Sequence, residues 1–195
     1  HHIGSTGIGL GVSYRVAREF EPVADSTLKY TPGNEVRVRL GLDRNIGSSK
    51  LTGGFTFQNY SQDRVQGVDL FQPGNRYRGD VAYSFRTSAS AAWTLYAADI
   101  WREHGDVNVV DQNGAVVRDS TFSTGTQNLL IAGLAGSMRV GSIALAPSID
   151  ARKQTRSLPG GEGWLVGAGT EVPLHAGSFA ITPGGRLTFG KIQGD

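Results

Sequence analysis

The chain has 195 residues, a formal net charge of +2 at pH 7 and 38% hydrophobic residues. This length suits one domain, so small a charge gives no sign of nucleic-acid binding, and the absence of cysteine excludes disulfides, zinc–thiolate sites and thiol chemistry. No apolar run approaches the roughly eighteen residues that a membrane-spanning helix needs.

Most of the chain alternates apolar residues with small, polar or charged ones. A period of two predicts strands with one apolar face. In chain order, the predicted strands cover residues 8–18, 35–43, 51–60, 76–86, 91–101, 128–140, 143–152, 164–172 and 178–189. The alternation fails within 91–101, where Asp99 falls on the apolar face and Ile100 on the polar one, so we expect a β-bulge near Ala97 and Ala98.

The connections between these strands alternate regularly between long and short. The longest, 102–125, contains Asn113-Gly114, a strong hairpin signal, between the valine-rich segments 107–110 and 115–118. We expect this hairpin to protrude beyond the rest of the fold. The other connections predict long loops at one end of the strands and short turns at the other, among them 141–142 and 173–177.

The alternating strands, the alternating loop lengths and the aromatic residues near strand ends resemble the bacterial outer-membrane β-barrel proteins. The resemblance covers residues 8–189 and implies a single-domain, all-β, antiparallel up-and-down transmembrane barrel over 1–195, in lipid of a Gram-negative-type outer membrane. Single-chain barrels of this class have even strand numbers. We therefore expect ten strands, within a range of eight to twelve, with the tenth at the N-terminus, in the 102–125 hairpin or beyond Asp195. Phe189 departs from the pattern, because six residues follow where such proteins commonly end on an aromatic residue.

A soluble lipocalin-like barrel or β-sandwich is the alternative, with the apolar face inside. The predicted strands have about 9 to 13 residues, whereas soluble strands most often have about 5 or 6. Strand length therefore favours the membrane interpretation.

Under that interpretation the apolar face contacts lipid and the polar face lines a lumen. The lipid-facing candidates are Leu40, Phe55, Phe57, Tyr83, Phe85, Trp93, Leu134, Trp164, Phe179 and Phe189. The lumen candidates are Arg15, Arg37, Arg39, Asp43, Arg76, Arg78, Asp80, Arg86, Arg139, Asp150, Arg152, Glu171 and Arg186.

The excess of arginine among the lumen candidates supports two functions. A confined ring of positive charge attracts anions, as in a small channel or transporter for polar or anionic solutes. The same side chains could instead form salt bridges that plug a narrow barrel, since about eight strands leave room only for side chains. A closed barrel would have a structural, adhesive or partner-binding role, with 102–125 contacting a second copy or another envelope protein.

A third hypothesis is a hydrolase at the barrel rim, which would need a histidine paired with an acid or a serine. The internal candidates are His104, beside Glu103 and Asp106, and His175 in a predicted turn. No acid–base pair has a spacing that places it on one face, so we expect no enzyme activity. His104, Asp106 and Asp111 could approach a metal, but isolated loop residues of this kind are ordinarily solvated, so we expect no metal and no cofactor.

Overall fold

The computed structural model describes residues 2–22, 29–110, 116–119, 125–157, 162–176 and 179–193. Their regular secondary structure is entirely antiparallel β, which confirms the predicted all-β class. The strands are β1 (His2–Ile3), β2 (Thr6–Arg15), β3 (Tyr30–Thr31), β4 (Glu35–Ile46), β5 (Ser49–Tyr60), β6 (Asp63–Val65), β7 (Val68–Gln72), β8 (Arg76–Ser88), β9 (Ala91–Arg102), β10 (Asp106–Val110), β11 (Val116–Asp119), β12 (Gln127–Val140), β13 (Ile143–Arg156), β14 (Glu162–Glu171), β15 (Leu174–Ala176), β16 (Phe179–Ile181) and β17 (Gly184–Gln193).

Ten of these strands form the main sheet, in the order β1-β2-β4-β5-β8-β9-β12-β13-β14-β17. Each strand pairs with its sequence neighbour in this set, so the sheet is a continuous meander. The short turns lie at one end and the long connections at the other. Among the described segments, none is a helix with the length and hydropathy required to cross a bilayer.

Cross-strand register carries the alternation of each strand across the whole sheet. Residues paired in an antiparallel ladder project from the same face. Leu10 pairs with Leu40 and Leu40 with Phe55, whereas one position along Gly11 pairs with Arg39. The main sheet therefore has one apolar face and one polar face.

The predicted bulge in β9 is wrong. Ala97 pairs with Val81 and Ala132, and the adjoining pairs continue without a shift. Asp99 therefore stays on the apolar face, where its carboxylate accepts a hydrogen bond from Asn128 Nδ2 at 2.5 Å. This hydrogen bond gives Asp99 a polar partner on the apolar face, so β9 keeps its alternation without a bulge.

The predicted ninth strand, 178–189, is interrupted. Its first part, β16, pairs with β15 in a separate two-stranded ladder, whereas β17 pairs with β14. Both ladders keep one register, and the backbone N–H of Val172 donates to Pro183 O between them at 2.8 Å. Pro173 and Pro183 have no N–H to donate, which breaks the ladder. The predicted turn at 173–177 is also wrong, because β15 occupies Leu174–Ala176.

A five-stranded sheet, in the order β11-β10-β7-β6-β3, is built from three of the long connections. Strand β10 pairs with β11 in the predicted hairpin segment, with Val109 opposite Val117; the Asn113-Gly114 turn lies outside the described residues. Strand β10 also pairs with β7, and β6 with β3. The sequence does not predict this association of separate loops.

No apolar side chain of the described residues is buried, although 25 large apolar side chains are exposed. Leu40 is 47% exposed and Leu187 69%, so they do not pack into a core. The two buried charged side chains, Glu35 and Asp150, lie instead on the polar face. Among the described residues, the buried side chains are therefore charged rather than apolar.

Candidate functional site

All thirteen lumen candidates lie on the polar face of the main sheet. Nine of the ten lipid-facing candidates lie on the opposite face; the exception is Phe179, which belongs to β16 and whose side chain is outside the described part of the chain. The alternation is kept in every ladder from β2 to β17. The structure thus places the two sets on opposite sides of one sheet.

Sequence reasoning missed four charged residues of this face. They are Glu35, Lys50, Arg102 and Arg156. The predicted strands ended too early to include Arg102 and Arg156. The signal was present, because Asp150, Arg152, Gln154 and Arg156 continue the alternation beyond the predicted end of the strand.

With these four included, the polar face of the described strands carries twelve basic side chains and five acidic ones, an excess of seven positive charges. The basic residues are Arg15, Arg37, Arg39, Lys50, Arg76, Arg78, Arg86, Arg102, Arg139, Arg152, Arg156 and Arg186, and the acidic ones are Glu35, Asp43, Asp80, Asp150 and Glu171. Six of the twelve basic groups lie within 4.0 Å of one of these acids, so the positive charge of the face is only partly neutralised.

One row of cross-strand partners concentrates this charge at the long-loop end. This rim row consists of Arg37, Gln58, Arg76, Arg102, Gln127 and Arg156, each paired with the next on the neighbouring strand. At about 4.8 Å between strands, its six members span roughly 24 Å. Arginines and amides are both hydrogen-bond donors, so the row presents donors along its whole length.

Two arginines at the centre of the rim row are not neutralised. Arg76 and Arg102 face each other directly across β8 and β9, an arrangement that destabilises a sheet when both side chains have the same charge. The Arg76 guanidinium lies 5.3 Å from the centroid of the Tyr60 ring. Neither arginine has an acid partner in the described part of the chain, and Arg102 Nε is buried without a hydrogen bond.

The end of the row nearest β2 is compensated. Arg37 Nη2 lies 2.5 Å from Glu35 Oε1, Arg15 Nη2 lies 3.3 Å from Glu35 Oε2, and Gln58 Nε2 donates to Glu35 at 2.9 Å. Glu35 is buried, so three donors replace its lost hydration. This cluster shows that charges on the polar face are paired where an acid is available.

A second ion-pair cluster on the polar face joins β13 to β17 across β14. Asp150 on β13 accepts a hydrogen bond from Arg186 on β17, and its other oxygen accepts one from Arg152 Nε at 3.1 Å. Asp150 is only 4% exposed, whereas its two partners are roughly half exposed. Gly167 lies between them on β14, where an added Cβ would collide with the Arg186 guanidinium.

The short-turn end also carries positive charge. Arg86 and Arg139 line a shallow cavity of about 310 Å³ with the serines Ser88, Ser90 and Ser137. Both arginines are exposed and have no acid partner among the described residues. They are too solvated to form a defined anion site by themselves.

The histidine candidates form no catalytic group in the described residues. His104 Nε2 lies 3.6 Å from Asp106 Oδ1, and the His104 side chain is 57% exposed. Asp111 lies outside the described residues, as does the His175 side chain. Within the described residues, no three metal-binding side chains are grouped together.

Comparison with known proteins gives no relative. No family model, no curated protein and no solved structure matches the chain. Its function must therefore be argued from the geometry of the polar and apolar faces.

Proposed function

We propose that the chain forms a ten-stranded β-barrel in a bacterial outer membrane and acts as a small channel or transporter for anionic or polar solutes. In this proposal the apolar face contacts lipid and the polar face encloses the lumen. The rim row would determine the charge preference of the channel, because four arginines in register at one opening of the lumen would attract anions. Arg76, Arg102 and Arg156, which have no acid partner among the described residues, would do so most strongly.

The exposure of the apolar face supports a membrane environment. Monomeric soluble proteins rarely expose a continuous apolar surface of more than a few hundred Å², whereas this sheet exposes large apolar residues along its full width. In lipid such a surface is stable, and the interstrand hydrogen bonds satisfy the backbone.

Aromatic residues mark both ends of the apolar face. Tyr77 and Trp101 face each other near the long loops, and Phe85 and Trp93 face each other near the short turns. The two pairs are eight residues apart, about 27 Å along the strand, or roughly 20 Å across a membrane at a tilt of about 40°. This separation is close to that of the aromatic girdles of outer-membrane barrels.

The direction of the edge strands is compatible with closure at ten. Strands β2 and β17 run in the same direction, since seven antiparallel strands lie between them. A strand that closes the sheet between them must run in the opposite direction, and β1 does so against β2. Ten strands then give the even number typical of single-chain barrels.

Ion selectivity in planar lipid bilayers tests the channel. We expect the wild-type protein to conduct anions in preference to cations in a KCl gradient, and the double variant with Arg76→Glu and Arg102→Glu to lose this preference or reverse it. Lys153→Glu is the matched control, because Lys153 lies toward the same end of the sheet on the apolar face. Silence at all voltages, or an equal effect of the control, would contradict the proposal.

A closed barrel with a binding role is the second candidate. The Asp150 cluster favours it, because ion pairs that join β13 to β17 across the polar face could fill a narrow lumen. The five-stranded sheet would then be the contact surface for a second copy or another envelope protein. If this candidate is right, deleting β10 and β11 would abolish the contacts with the partner, and neither the wild type nor the deletion variant would conduct ions. A wild-type protein that conducts ions argues against the closed state.

A further inference from the structure

The polar face contains one apolar patch, formed by Ala98, Ile100, Leu129, Ile131 and Leu165. Ile100 pairs with Leu129 and Ala98 with Ile131, and Leu165 lies beyond Arg152. All five are half-buried, whereas Leu95 and Leu130 on the other face of the same strands are 56% and 46% exposed. An apolar group thus interrupts a face that is otherwise small, polar or charged.

The uncompensated arginines border this patch. Arg102 is two residues from Ile100 on the same face of β9, and Arg76 is its cross-strand partner. Arg156, which pairs with Gln127 two residues from Leu129, also has no acid partner among the described residues, whereas Arg78 Nε lies 3.2 Å from Asp80 and Arg152 Nε 3.1 Å from Asp150. The uncompensated positive charge is therefore on the rim-row side of the patch, at Arg76, Arg102 and Arg156.

The dimensions of the patch define what it can hold. Neighbouring strands are about 4.8 Å apart and alternate residues of one strand about 6.7 Å apart. Between backbone positions, the four patch residues on β9 and β12 therefore measure roughly 5 Å by 7 Å, the scale of one aromatic ring or a short branched chain. Leu165 lies farther out, roughly 14 Å from Ala98 along the row.

Open backbone lies in the same row as the patch. Gly54, Gly41 and Gly9 continue the row of Ala98 and Ile131 toward β2, linked through Asp80. The Asp80 carboxylate covers Gly54, where an added Cβ would lie 3.0 Å from Asp80 Oδ2, whereas one at Gly41 or Gly9 would meet no atom within 4 Å. The polar face therefore leaves space above β4 and β2, on the far side of Asp80 from the patch.

We propose that Arg76, Arg102 and the apolar patch together bind an organic acid whose carboxylate is joined to a ring-sized apolar body. The guanidinium groups take the carboxylate in charge-assisted hydrogen bonds, and the ring covers Ile100, Leu129 and Ile131. The inference rests on the proposed function, since it specifies the solute class for the same lumen. The proposed site takes a ligand that has both a negative charge and a ring. An inorganic anion lacks the ring, and a neutral aromatic molecule lacks the charge.

The test is a ¹⁹F NMR titration of the detergent-solubilised protein with 4-fluorobenzoate, with empty micelles as the blank. Two further probes separate the parts of the ligand: trifluoroacetate has the carboxylate alone, and 4-fluorobenzyl alcohol has the ring alone. We expect saturable binding of 4-fluorobenzoate, at least about tenfold tighter than of either probe, because each loses one set of contacts. No saturation, or equal affinity for either probe, would overturn the inference.

Variants assign the binding to this surface. Leu129→Thr with Ile131→Thr places a β-branched residue, which suits a strand, at both positions and should weaken 4-fluorobenzoate binding at least about fivefold. Arg102→Gln should weaken the binding of both carboxylates. Ala135→Thr is the control, on the same face of β12 but outside the patch. Wild-type affinity in the patch variant would overturn the assignment.

The two proposals fail separately in these experiments. Conductance of chloride without saturable binding of 4-fluorobenzoate supports the channel and overturns the ligand site. Saturable binding in a protein that is silent in bilayers supports the ligand site and overturns the channel.

Discussion

At the scale of single residues, Asp150 illustrates how charge is accommodated on the polar face. Its carboxylate is almost completely buried, and Arg152 of β13 and Arg186 of β17 both donate hydrogen bonds to it. A buried carboxylate is tolerated only when such partners replace water. The cluster therefore joins β17 to β13 by side chains, in addition to the backbone ladders.

Asp150→Asn should lower the free energy of unfolding by about 1–3 kcal/mol, because it removes the charge that holds Arg152 and Arg186 together; the solvent exposure of both arginines keeps the loss below that of a fully buried pair. Urea unfolding in lipid vesicles, followed by tryptophan fluorescence, measures the change. Asp80→Asn is the control: Asp80 is 44% exposed and, among the described residues, pairs with Arg78 alone, so we expect a loss within about 0.5 kcal/mol. Equal losses in the two variants would contradict this role of Asp150.

Glycines of the polar face are not equivalent. A Cβ at Gly133 would lie 2.6 Å from Tyr96 Oη and 2.7 Å from the backbone oxygen of Ile149, whereas one at Gly41 would meet nothing within 4 Å. Gly133→Ala should therefore destabilise the protein by about 1–3 kcal/mol. Gly41→Ala should be neutral or stabilising by up to about 1 kcal/mol, because alanine restricts the unfolded chain. The same urea titration compares them, and a reversed order would show that the space above β4 is filled.

At the scale of elements, the sequence predicts strands well where alternation is long and unbroken. Strands β8 and β9 begin as predicted, at Arg76 and Ala91. Strand ends are less certain, because charged residues such as Lys153 fall on the apolar face near the loops. Because Lys153 interrupts the apolar face, the sequence predicts that the strand ends at residue 152 and that Arg156 lies in a loop, whereas β13 extends to Arg156.

The assembly of the five-stranded loop sheet could not have been predicted, because two of its four strand pairings join residues distant in sequence. The hairpin of β10 and β11 is local and carries a turn signal. The pairing of β10 with β7, and of β3 with β6, depends on where the main sheet brings the ends of three loops. Short strands such as β3, with two residues, have no periodicity to detect.

Tyr30 is an anchor of the loop sheet. Its hydroxyl donates to Asp63 Oδ2 at 2.7 Å, and the other oxygen of Asp63 accepts the backbone N–H of Gly33 at 2.6 Å. The hydrogen bond to Asp63, together with partial burial and the negative charge of Asp63, raises the pKa of Tyr30 to about 12. The phenol is therefore held in its neutral form when the sheet is folded.

The contribution of the Tyr30–Asp63 hydrogen bond to stability should decrease as the pH rises. A pKa raised from 10.0 to about 12 means that the stabilisation is complete below pH 10 and is lost as the pH rises from 10 to 12. In an absorbance titration at high pH, we expect a phenol that ionises near pH 12 in the wild type and is missing in Tyr30→Phe. Asp63→Asn should lower the pKa of Tyr30 toward 10. A late-ionising phenol that persists in Tyr30→Phe would assign it to another tyrosine.

At the scale of the whole molecule, the absence of a buried apolar core in the described residues is the feature that most constrains the environment. A soluble sandwich made from these strands would bury Leu10, Leu40 and Leu187, which are 70%, 47% and 69% exposed. Alternation alone cannot decide between a core and lipid, since both give a period of two. The structure adds that the described long strands turn most of their large apolar residues to one side, the patch of Ile100, Leu129, Ile131 and Leu165 being the exception.

The chain's three tryptophans offer a direct test of that environment. Trp93, Trp101 and Trp164 all lie on the apolar face, Trp93 near the short turns and the other two near the long loops. If this face meets lipid, both groups lie near the bilayer interfaces, where tryptophan is favoured. Their fluorescence should then be quenched strongly by lipids brominated near the headgroup and less by lipids brominated near the chain ends.

Single-tryptophan variants separate the two interfaces, because replacing Trp101 and Trp164 by phenylalanine leaves Trp93 alone. We expect this remaining residue to keep the same depth dependence and to be poorly quenched by iodide in the aqueous phase. Since Trp93 and Trp101 are about 27 Å apart along β9, similar shallow depths for both require a strand that crosses the bilayer. Strong iodide quenching with no effect of brominated lipid would instead place the apolar face against another protein surface or in water, and the barrel proposal would fall with it.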